Sequence, residues 1–291
     1  MNILIVGYGS IGKRHHAILR QMLPNATFTL CDVQGGFVKI DEIRDILYDL
    51  AVITTPTSNH IDAVLNINSN SFFIEKPLDS DFKKIKDNIS YFKNKKTMVG
   101  CNISFSKHCE QIKKYINQST IVNVRYLTYL PLWRENYKDL YCCHKDQGGG
   151  IFNDVYPHEF TYITNFLGLP NKINVNKYRL TDITKDTDDY TKATFEYDNK
   201  IVNFEFSYLS KYKIRTCEMF LDDGERELVD FSGAEKLKDQ HTVSDIDETY
   251  VRQWEYFLKT DKPFNSCEDA YNLLKLMNKD SDEIVLRADI Y

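Results

Sequence analysis

The 291-residue sequence lacks several features that would assign it to a specialised class of protein. Its 37 basic residues are outnumbered by 42 acidic ones, so the net charge of −5 provides no basic field for nucleic acid or anionic membranes. No stretch approaches the roughly 20 apolar residues that span a bilayer. The first ten residues, MNILIVGYGS, have no charged n-region and no long apolar segment, so no signal peptide is expected.

The seven cysteines contain no Cys-x-x-Cys pair and form no disulfide-like framework. Their odd number and scattered positions favour a reducing cytoplasm. Cys142-Cys143-His144 combines residue types that bind metals, but three consecutive side chains rarely converge on one ion. We therefore predict a cytoplasmic protein without a metal site.

The first hundred residues alternate short apolar runs with helical patterns. The predicted strands are 2–6, 27–31, 50–55, 72–75 and 97–101, and the predicted helices are 10–23, 42–48, 60–67 and 80–92. The runs show no polar alternation, as is typical of parallel strands covered on both faces. Only residues 33–36 separate Asp32 from a β-like triplet at 37–39, too few for a helical crossover. The third strand and its preceding helix are therefore expected to be abbreviated.

The pattern changes near residue 102, after which strands dominate. The predicted strands are 120–130, 172–180, 190–197, 200–209, 214–221 and 226–231, and the predicted helices are 106–117, 154–166, 247–259 and 267–279. Several strands alternate apolar and polar residues, which indicates a sheet with one covered face. We predict an α/β Rossmann domain over residues 1–102 and an α+β domain with a mainly antiparallel sheet over residues 103–291.

A glycine motif, Gly7-Tyr8-Gly9-Ser10-Ile11-Gly12, follows the first strand and opens the first helix. In this context the motif predicts a dinucleotide-binding fold. Gly7 permits a tight turn, Gly9 lets the backbone approach a pyrophosphate, and Gly12 lets helix and strand pack closely. The helix N-terminus would then hold the phosphates. A glycine turn that binds no nucleotide is the alternative.

Asp32 ends the second predicted strand, 20 residues after the last glycine of the motif. At this position a carboxylate accepts hydrogen bonds from the adenosine ribose hydroxyls and repels a 2′-phosphate. Residues 33–36 offer no arginine that could bind such a phosphate. We therefore expect NAD(H) to be preferred over NADP(H).

Three further motifs follow along the chain: Thr55-Pro56-x-x-x-His60, Glu75-Lys76-Pro77 and Gly148-Gly149-Gly150-x-x-x-Asp154-x-x-x-His158. Together with the glycine motif, their order and spacing resemble the Gfo/Idh/MocA family of nicotinamide-dependent sugar and inositol oxidoreductases. Residues 130–150 and the compressed segment after Asp32 look like a branch associated with bacterial surface-polysaccharide and nucleotide-sugar metabolism.

The resemblance implies a set of catalytic residues. Lys76 would lie beside the nicotinamide and bind or protonate the reacting oxygen, and Glu75 would orient it. His158 would remove the substrate hydroxyl proton, and Asp154, on the same helix face, would orient the histidine. Pro77 restricts Lys76 to an extended backbone, and the bond between them can be cis or trans. Without the other motifs, Asp154 would be a helix cap and His158 an unrelated histidine.

The predicted binding residues form two sets. The cofactor-binding set is Gly7, Tyr8, Gly9, Ser10, Ile11, Gly12, Asp32, Thr54, Thr55, Pro56, His60, Glu75, Lys76 and Asn102. The candidate substrate-binding set, whose members could equally serve the core or an interface, is Trp133, Arg134, Tyr137 and Tyr141. Ser104 stands where the family often has an arginine, and Thr161 where an acid often follows the histidine, so substrate identity stays open.

We therefore expect an NAD(H)-dependent oxidoreductase that transfers hydride to or from a sugar or nucleotide-sugar hydroxyl or ketone. The alternatives are a non-catalytic nucleotide-binding sensor, which would tend to lose the lysine, and an epimerase or eliminase that recycles bound NAD. Residues 103–291 are expected to bind substrate and to form a homodimer through their sheet. Aromatic residues alternate along one strand of this sheet at Phe204, Phe206 and Tyr208, and they would leave one face of the sheet in need of cover.

Overall fold

The computed structural model describes residues 1–133, 135–232, 245–279 and 285–286. The chain divides into two compact units, residues 1–101 with 250–272 and residues 102–249 with 273–291. The predicted boundary after residue 102 assigns residues 250–272 to the second domain, whereas the structure groups them with the first unit. Packing explains this grouping, because the rings of Trp254 and Phe257 lie 4.3 and 5.8 Å from the ring of Phe73.

The first unit is built on a parallel sheet. The strands of this unit are β1 (Asn2–Val6), β2 (Thr27–Cys31), β3 (Leu47–Tyr48), β4 (Leu50–Ile53), β5 (Asn68–Ser69), β6 (Ser71–Ile74) and β7 (Lys96–Val99), of which β3 and β5 pair only with each other. Its first three helices are α1 (Ser10–Met22), α2 (His60–Leu65) and α3 (Phe82–Asn88). The sheet has the order β2-β1-β4-β6-β7, and residues 50–53 and 72–74 are fully buried. The predicted Rossmann-type fold, with strands covered on both faces, is confirmed.

The segment after β2 is abbreviated, as predicted. Val38 forms an isolated parallel bridge with Cys31 in place of a third strand of the sheet. The helix predicted over residues 42–48 is wrong, because Ile40–Glu42 forms only a 3₁₀ turn and Leu47–Tyr48 forms β3. Tyr48 is fully buried and its carbonyl accepts the N–H of Asn70 at 3.0 Å, which pairs the chain with β5 rather than with a helical turn.

The second unit is built on a seven-stranded sheet. Its strands are β8 (Ser119–Tyr129), β9 (Lys172–Tyr178), β10 (Tyr190–Tyr197), β11 (Lys200–Ser207), β12 (Leu209–Leu221), β13 (Arg226–Asp230) and β14 (Val285–Leu286). The remaining α-helices among the described residues are α4 (Lys107–Tyr115), α5 (Ile151–Leu167), α6 (Asp245–Lys259) and α7 (Cys267–Lys279). The order is β13-β12-β8-β11-β10-β9-β14, and only β11–β8 and β14–β9 among these described pairs are parallel. This confirms the predicted, mainly antiparallel sheet.

Helix α5 covers one face of the second sheet. The ring of Phe160 on α5 lies 4.5 Å from the rings of both Phe195 and Phe204. Phe206 and Tyr208 are also fully buried on this face. The prediction that these aromatic residues leave a face in need of cover is therefore wrong, since the chain's own helix covers them. In the described part of the chain, no helix combines the length and hydropathy needed to cross a membrane.

Candidate functional site

Two glycines of the loop between β1 and α1 are required by the fold itself. Gly7 has a φ of +89°, and a Cβ there would lie 2.6 Å from the carbonyl oxygen of Thr54. A Cβ on Gly12 would collide with the carbonyl oxygen of Gly7. The hydroxyl of Thr54 lies 3.0 Å from the carbonyl oxygen of Val6, so it braces the same turn. These residues shape the loop whether or not a ligand binds.

Gly9 is different, because no contact among the described residues requires a glycine there. Its φ of −72° suits any residue, and apart from its chain neighbours no described residue has an atom within 4 Å of the position that its Cβ would take. Gly9 precedes α1, whose first turn has no acidic residue and no side-chain cap. A helix start with open space and uncapped N–H groups fits an approaching pyrophosphate.

The Asp32 carboxylate lies at the end of the adjacent strand β2. It accepts the N–H of Gln34 at 2.8 Å and the N–H of Tyr8 at 2.6 Å, and these bonds lower its pKa. The ionised carboxylate is thus held beside the glycine loop and keeps lone pairs for the hydroxyls of a ribose. The next side chain, Val33, is 95% exposed.

Lys39 stabilises the loop that carries Asp32. Its ammonium lies 2.9, 2.9 and 2.6 Å from the carbonyl oxygens of Asp32, Val33 and Gln34. The lysine therefore donates to three successive backbone carbonyl groups and holds this short connection in shape. Sequence reasoning did not identify Lys39, since a lysine in a polar loop gives no signal of its own.

His60 lies in the interior between two loops of the first unit. It is 1% exposed, and its ring nitrogens lie 2.8 Å from the carbonyl oxygen of Pro77 and 2.9 Å from that of Thr55. Burial lowers the pKa of His60. The histidine thus joins the loop after β4 to the loop after β6. Pro56 belongs to the loop after β4 and is exposed.

The Glu75-Lys76-Pro77 motif follows β6. The Lys76–Pro77 peptide bond is cis, and Lys76 is partly exposed. The side chain of Glu75 is 13% exposed, and its Oε1 lies 2.7 Å from Nε2 of His15. Its Oε2 accepts the backbone N–H of Lys76 at 3.2 Å. A Cβ on Gly100 would lie 3.2 Å from this carboxylate, so the glycine leaves room for it.

In the second unit, two of the glycines before α5 are required by the packing of the chain itself. Gly148 ends a short 3₁₀ turn with a φ of 74°. A Cβ on Gly149 would lie 2.8 Å from the carbonyl oxygen of Cys142, and one on Gly150 would collide with the Asp188 carboxylate. Asp188 also caps α5 by accepting the N–H of Phe152 at 2.9 Å.

Asp154, on the first turn of α5, is surrounded by tyrosines. Its carboxylate accepts hydrogen bonds from the hydroxyls of Tyr141 at 2.5 Å and Tyr208 at 3.3 Å. Burial, followed by the charge of Asp154, raises the pKa of both phenols. His158 lies one turn further along α5 and is partly exposed. Tyr208 was not predicted as a site residue, because its place in an alternating strand indicated a sheet face that needs cover.

The other predicted substrate residues lie close to this cluster or outside the described residues. The ring of Trp133 packs edge-on against Tyr208 at 5.6 Å, and its indole N–H donates to Thr128 at 3.1 Å. Tyr137 packs against the core of the unit, and Arg134 lies outside the described residues.

Asn102 and the two residues that depart from the family pattern, Ser104 and Thr161, lie in the second unit. The amide of Asn102 donates to the hydroxyl of Thr249 at 3.0 Å, and Asn102 is 6% exposed. Thr161 is buried on α5 and donates to the carbonyl oxygen of Pro157 at 2.7 Å. Ser104 lies on the 3₁₀ turn Asn102–Phe105, which packs against α5. Thr161 is thus a structural residue of the helix.

Comparisons with known proteins agree with this architecture. Residues 110–226 match the model of the GFO/IDH/MocA C-terminal domain. The chain is similar in structure to a probable dehydrogenase from Thermotoga maritima, at 18% identity over 96% of each chain with a TM-score of 0.74. Comparison with curated proteins gives no match.

Two further solved structures are similar to the chain. Levoglucosan dehydrogenase in complex with NADH and levoglucosan is 17% identical over 97% of this chain and 98% of that chain, with a TM-score of 0.73. The UDP-N-acetylglucosamine 3-dehydrogenase GnnA from Acidithiobacillus ferrooxidans is 14% identical over 94% of each chain, with a TM-score of 0.69. These identities establish the fold, while the matched domain confirms the resemblance drawn from the motifs: the chain carries a C-terminal domain of the Gfo/Idh/MocA family.

Proposed function

We propose that this protein is an NAD(H)-dependent oxidoreductase acting on a hydroxyl or ketone of a sugar. The observation that carries the proposal is the open space at Gly9, since the fold itself has no need of a glycine there. The uncapped start of α1 and the ionised Asp32 flank this space, as a dinucleotide requires. The similar levoglucosan dehydrogenase structure contains NADH, which supports the same cofactor here.

The roles of the chain's own residues follow from their chemistry. Bound NAD⁺ supplies the hydride acceptor, and the protein supplies binding, orientation and proton transfer. In the oxidising direction, His158 accepts the proton of the substrate hydroxyl at its imidazole. The Lys76 ammonium stabilises the negative charge that develops on that oxygen. Asp154, held by Tyr141 and Tyr208, orients His158 from the same helix face.

We propose that NAD(H) is preferred over NADP(H). Asp32 presents a negative charge where a 2′-phosphate would lie. The nearby Lys39 ammonium already serves three carbonyl oxygens, and this supports its role as a loop brace rather than as a phosphate ligand.

The proposed substrate is a sugar or nucleotide-sugar. Tyr141, which is 43% exposed beside Asp154, and the partly exposed Trp133, which packs on Tyr208, offer aromatic faces on which a sugar ring can bind. Two similar structures are dehydrogenases of a sugar derivative and of a nucleotide-sugar. The free thiols of all seven cysteines suit action in a reducing cytoplasm.

We also propose a homodimer through the open face of the second sheet. Ile201 and Phe220 each pair with Ile121 across neighbouring strands, and the three side chains are 45%, 37% and 43% exposed. This apolar row (Ile121, Ile201 and Phe220) adjoins a hydrogen-bonded polar row that includes Asn203 and Asn123. A flat apolar row of this kind is typical of a contact surface. The apolar row, rather than the buried aromatic residues, supports the dimer.

The decisive experiment measures NADH with a panel of sugars, polyols and nucleotide-sugars, together with product analysis. Net NADH formation with an oxidised product supports the dehydrogenase. Product without net NADH would instead identify an enzyme that recycles bound NAD, and NAD binding without any turnover across the panel would favour a sensor.

A further inference from the structure

His15 is a buried residue of α1 for which the proposed catalytic steps have no use. Its side chain is fully buried, and both ring nitrogens have partners. Nδ1 lies 2.9 Å from the indole Nε1 of Trp254, and Nε2 lies 2.7 Å from Oε1 of Glu75. The histidine therefore connects α6 to the residue that precedes Lys76.

The partners of His15 determine its tautomer. An indole N–H can only donate, so Nδ1 of His15 must accept the hydrogen bond from Trp254. The ring hydrogen is then on Nε2, and this N–H donates to Glu75. The rings of Phe73 and Tyr250 pack edge-on against the imidazole at 5.2 and 5.6 Å and hold its plane. Trp254 thus fixes His15 as the donor in its contact with Glu75.

The hydrogen bond from His15 acts on the charge of Glu75. Burial by itself raises the pKa of this carboxyl, but the contact with His15, followed by the charge of Lys76, lowers it below its usual value. From α2, the titratable group that acts on Glu75 is His60, whose own pKa is lowered by burial. Tyr250 of α6 contacts the His15 ring, and Gly100 after β7 adds no charge.

We propose that Trp254 and His15 form a positioning relay, which holds the Glu75 carboxylate ionised against the backbone N–H of Lys76 and thereby aims the Lys76 ammonium. That this orientation of the Lys76 ammonium matters for catalysis rests on the proposed function. The relay itself is a property of the protein without cofactor, so it can be measured separately.

The first test uses ¹⁵N-histidine and ¹³C-glutamate spectra of the apoprotein, with His15→Gln assigning the His15 signals. We expect the ring hydrogen of His15 on Nε2, with Nδ1 as the acceptor of the indole N–H. His15→Leu should raise the Glu75 titration midpoint by about one pH unit or more, while the donor amide of His15→Gln should largely retain it. A wild-type His15 that carries a hydrogen on Nδ1 refutes the relay.

The second test uses the wild-type enzyme's best substrate. His15→Leu should lower kcat about tenfold and leave NAD affinity within about twofold. Protonation of His158 already lowers kcat at acid pH. Activity that also needs ionised Glu75 is lost as pH falls through the Glu75 pKa, so kcat should fall more steeply at acid pH in this variant than in the wild type. His15→Gln should restore most of kcat and the profile. An equal loss at every pH without rescue by glutamine would mean a merely structural residue.

Trp254→Phe provides an independent variant, because it removes only the indole N–H and keeps an aromatic ring. The ¹⁵N signal of His15 Nδ1 should then shift because its hydrogen bond is lost, even if His15→Leu does not fold. An unchanged His15 spectrum in Trp254→Phe would overturn the role of Trp254. If the wild-type enzyme turns over no sugar, the proposed function fails, and the spectra still decide the relay.

Discussion

Replacing Gly9 with alanine adds a methyl group where the chain has room for it and where a pyrophosphate is proposed to approach. A glycine-to-alanine change at a compatible backbone gains about 0.4–1 kcal/mol from the unfolded state. The loss of a good N-cap residue costs a comparable ~0.5–1 kcal/mol. The free energy of unfolding should therefore change by less than about 1 kcal/mol. NAD⁺ affinity should fall at least tenfold, or about 1.4 kcal/mol, since the methyl group occupies the approach to the backbone.

Gly7→Ala is the matched control, because there the fold itself needs the glycine. The φ of +89° costs about 1–2 kcal/mol for alanine. The Cβ at 2.6 Å from the Thr54 carbonyl oxygen adds about 1–3 kcal/mol of overpacking. Urea unfolding should thus show a loss of roughly 2–5 kcal/mol for Gly7→Ala. Calorimetric titration that finds wild-type NAD⁺ affinity in a folded Gly9→Ala protein refutes the assignment of the loop.

Three further results are expected. Lys76→Ala and His158→Ala should each lower kcat by a factor of roughly 10², and His158→Ala should leave NAD⁺ affinity unchanged. The double variant should lose less than the product of the two single losses, and steady-state kinetics that find a fully active Lys76→Ala enzyme would refute the assigned role. Calorimetry should give NAD⁺ binding at least about tenfold tighter than NADP⁺ binding, because Asp32 repels a 2′-phosphate. Asp32→Asn should reduce this difference between the two affinities, and equal affinities in the wild-type protein would contradict the proposed preference. Light scattering should give twice the 34.1 kDa chain mass for the wild type and the mass of one chain for Ile121→Asp. The control variant Leu169→Asp, which changes an exposed leucine outside the sheet, should keep the mass of two chains. A monomeric wild type would refute the dimer proposal.

The order of strands and helices could be read from the sequence because apolar periodicity reports how many faces of an element are covered. The continuous run at residues 50–53 became a strand buried on both faces, and the alternation at residues 202–206 became a strand with one covered face. The glycine motif likewise predicted a strand, a tight turn and a helix start, since these depend on neighbours within a few residues. The helix predicted over residues 42–48 does not form, because the pairing of β3 with β5 outweighs local preference.

The contacts that support the candidate site depended on which distant groups meet in the folded chain. The bond between Trp254 and His15 joins residues 239 positions apart, and no local pattern marks either of them as a neighbour of Glu75. Gly149 and Gly150 are explained by Cys142 and Asp188, although the same glycine run is equally compatible with a ligand. Periodicity encodes burial and backbone shape within one element. The partner of a buried polar group is set by the packing of several elements, and so it emerges only in three dimensions.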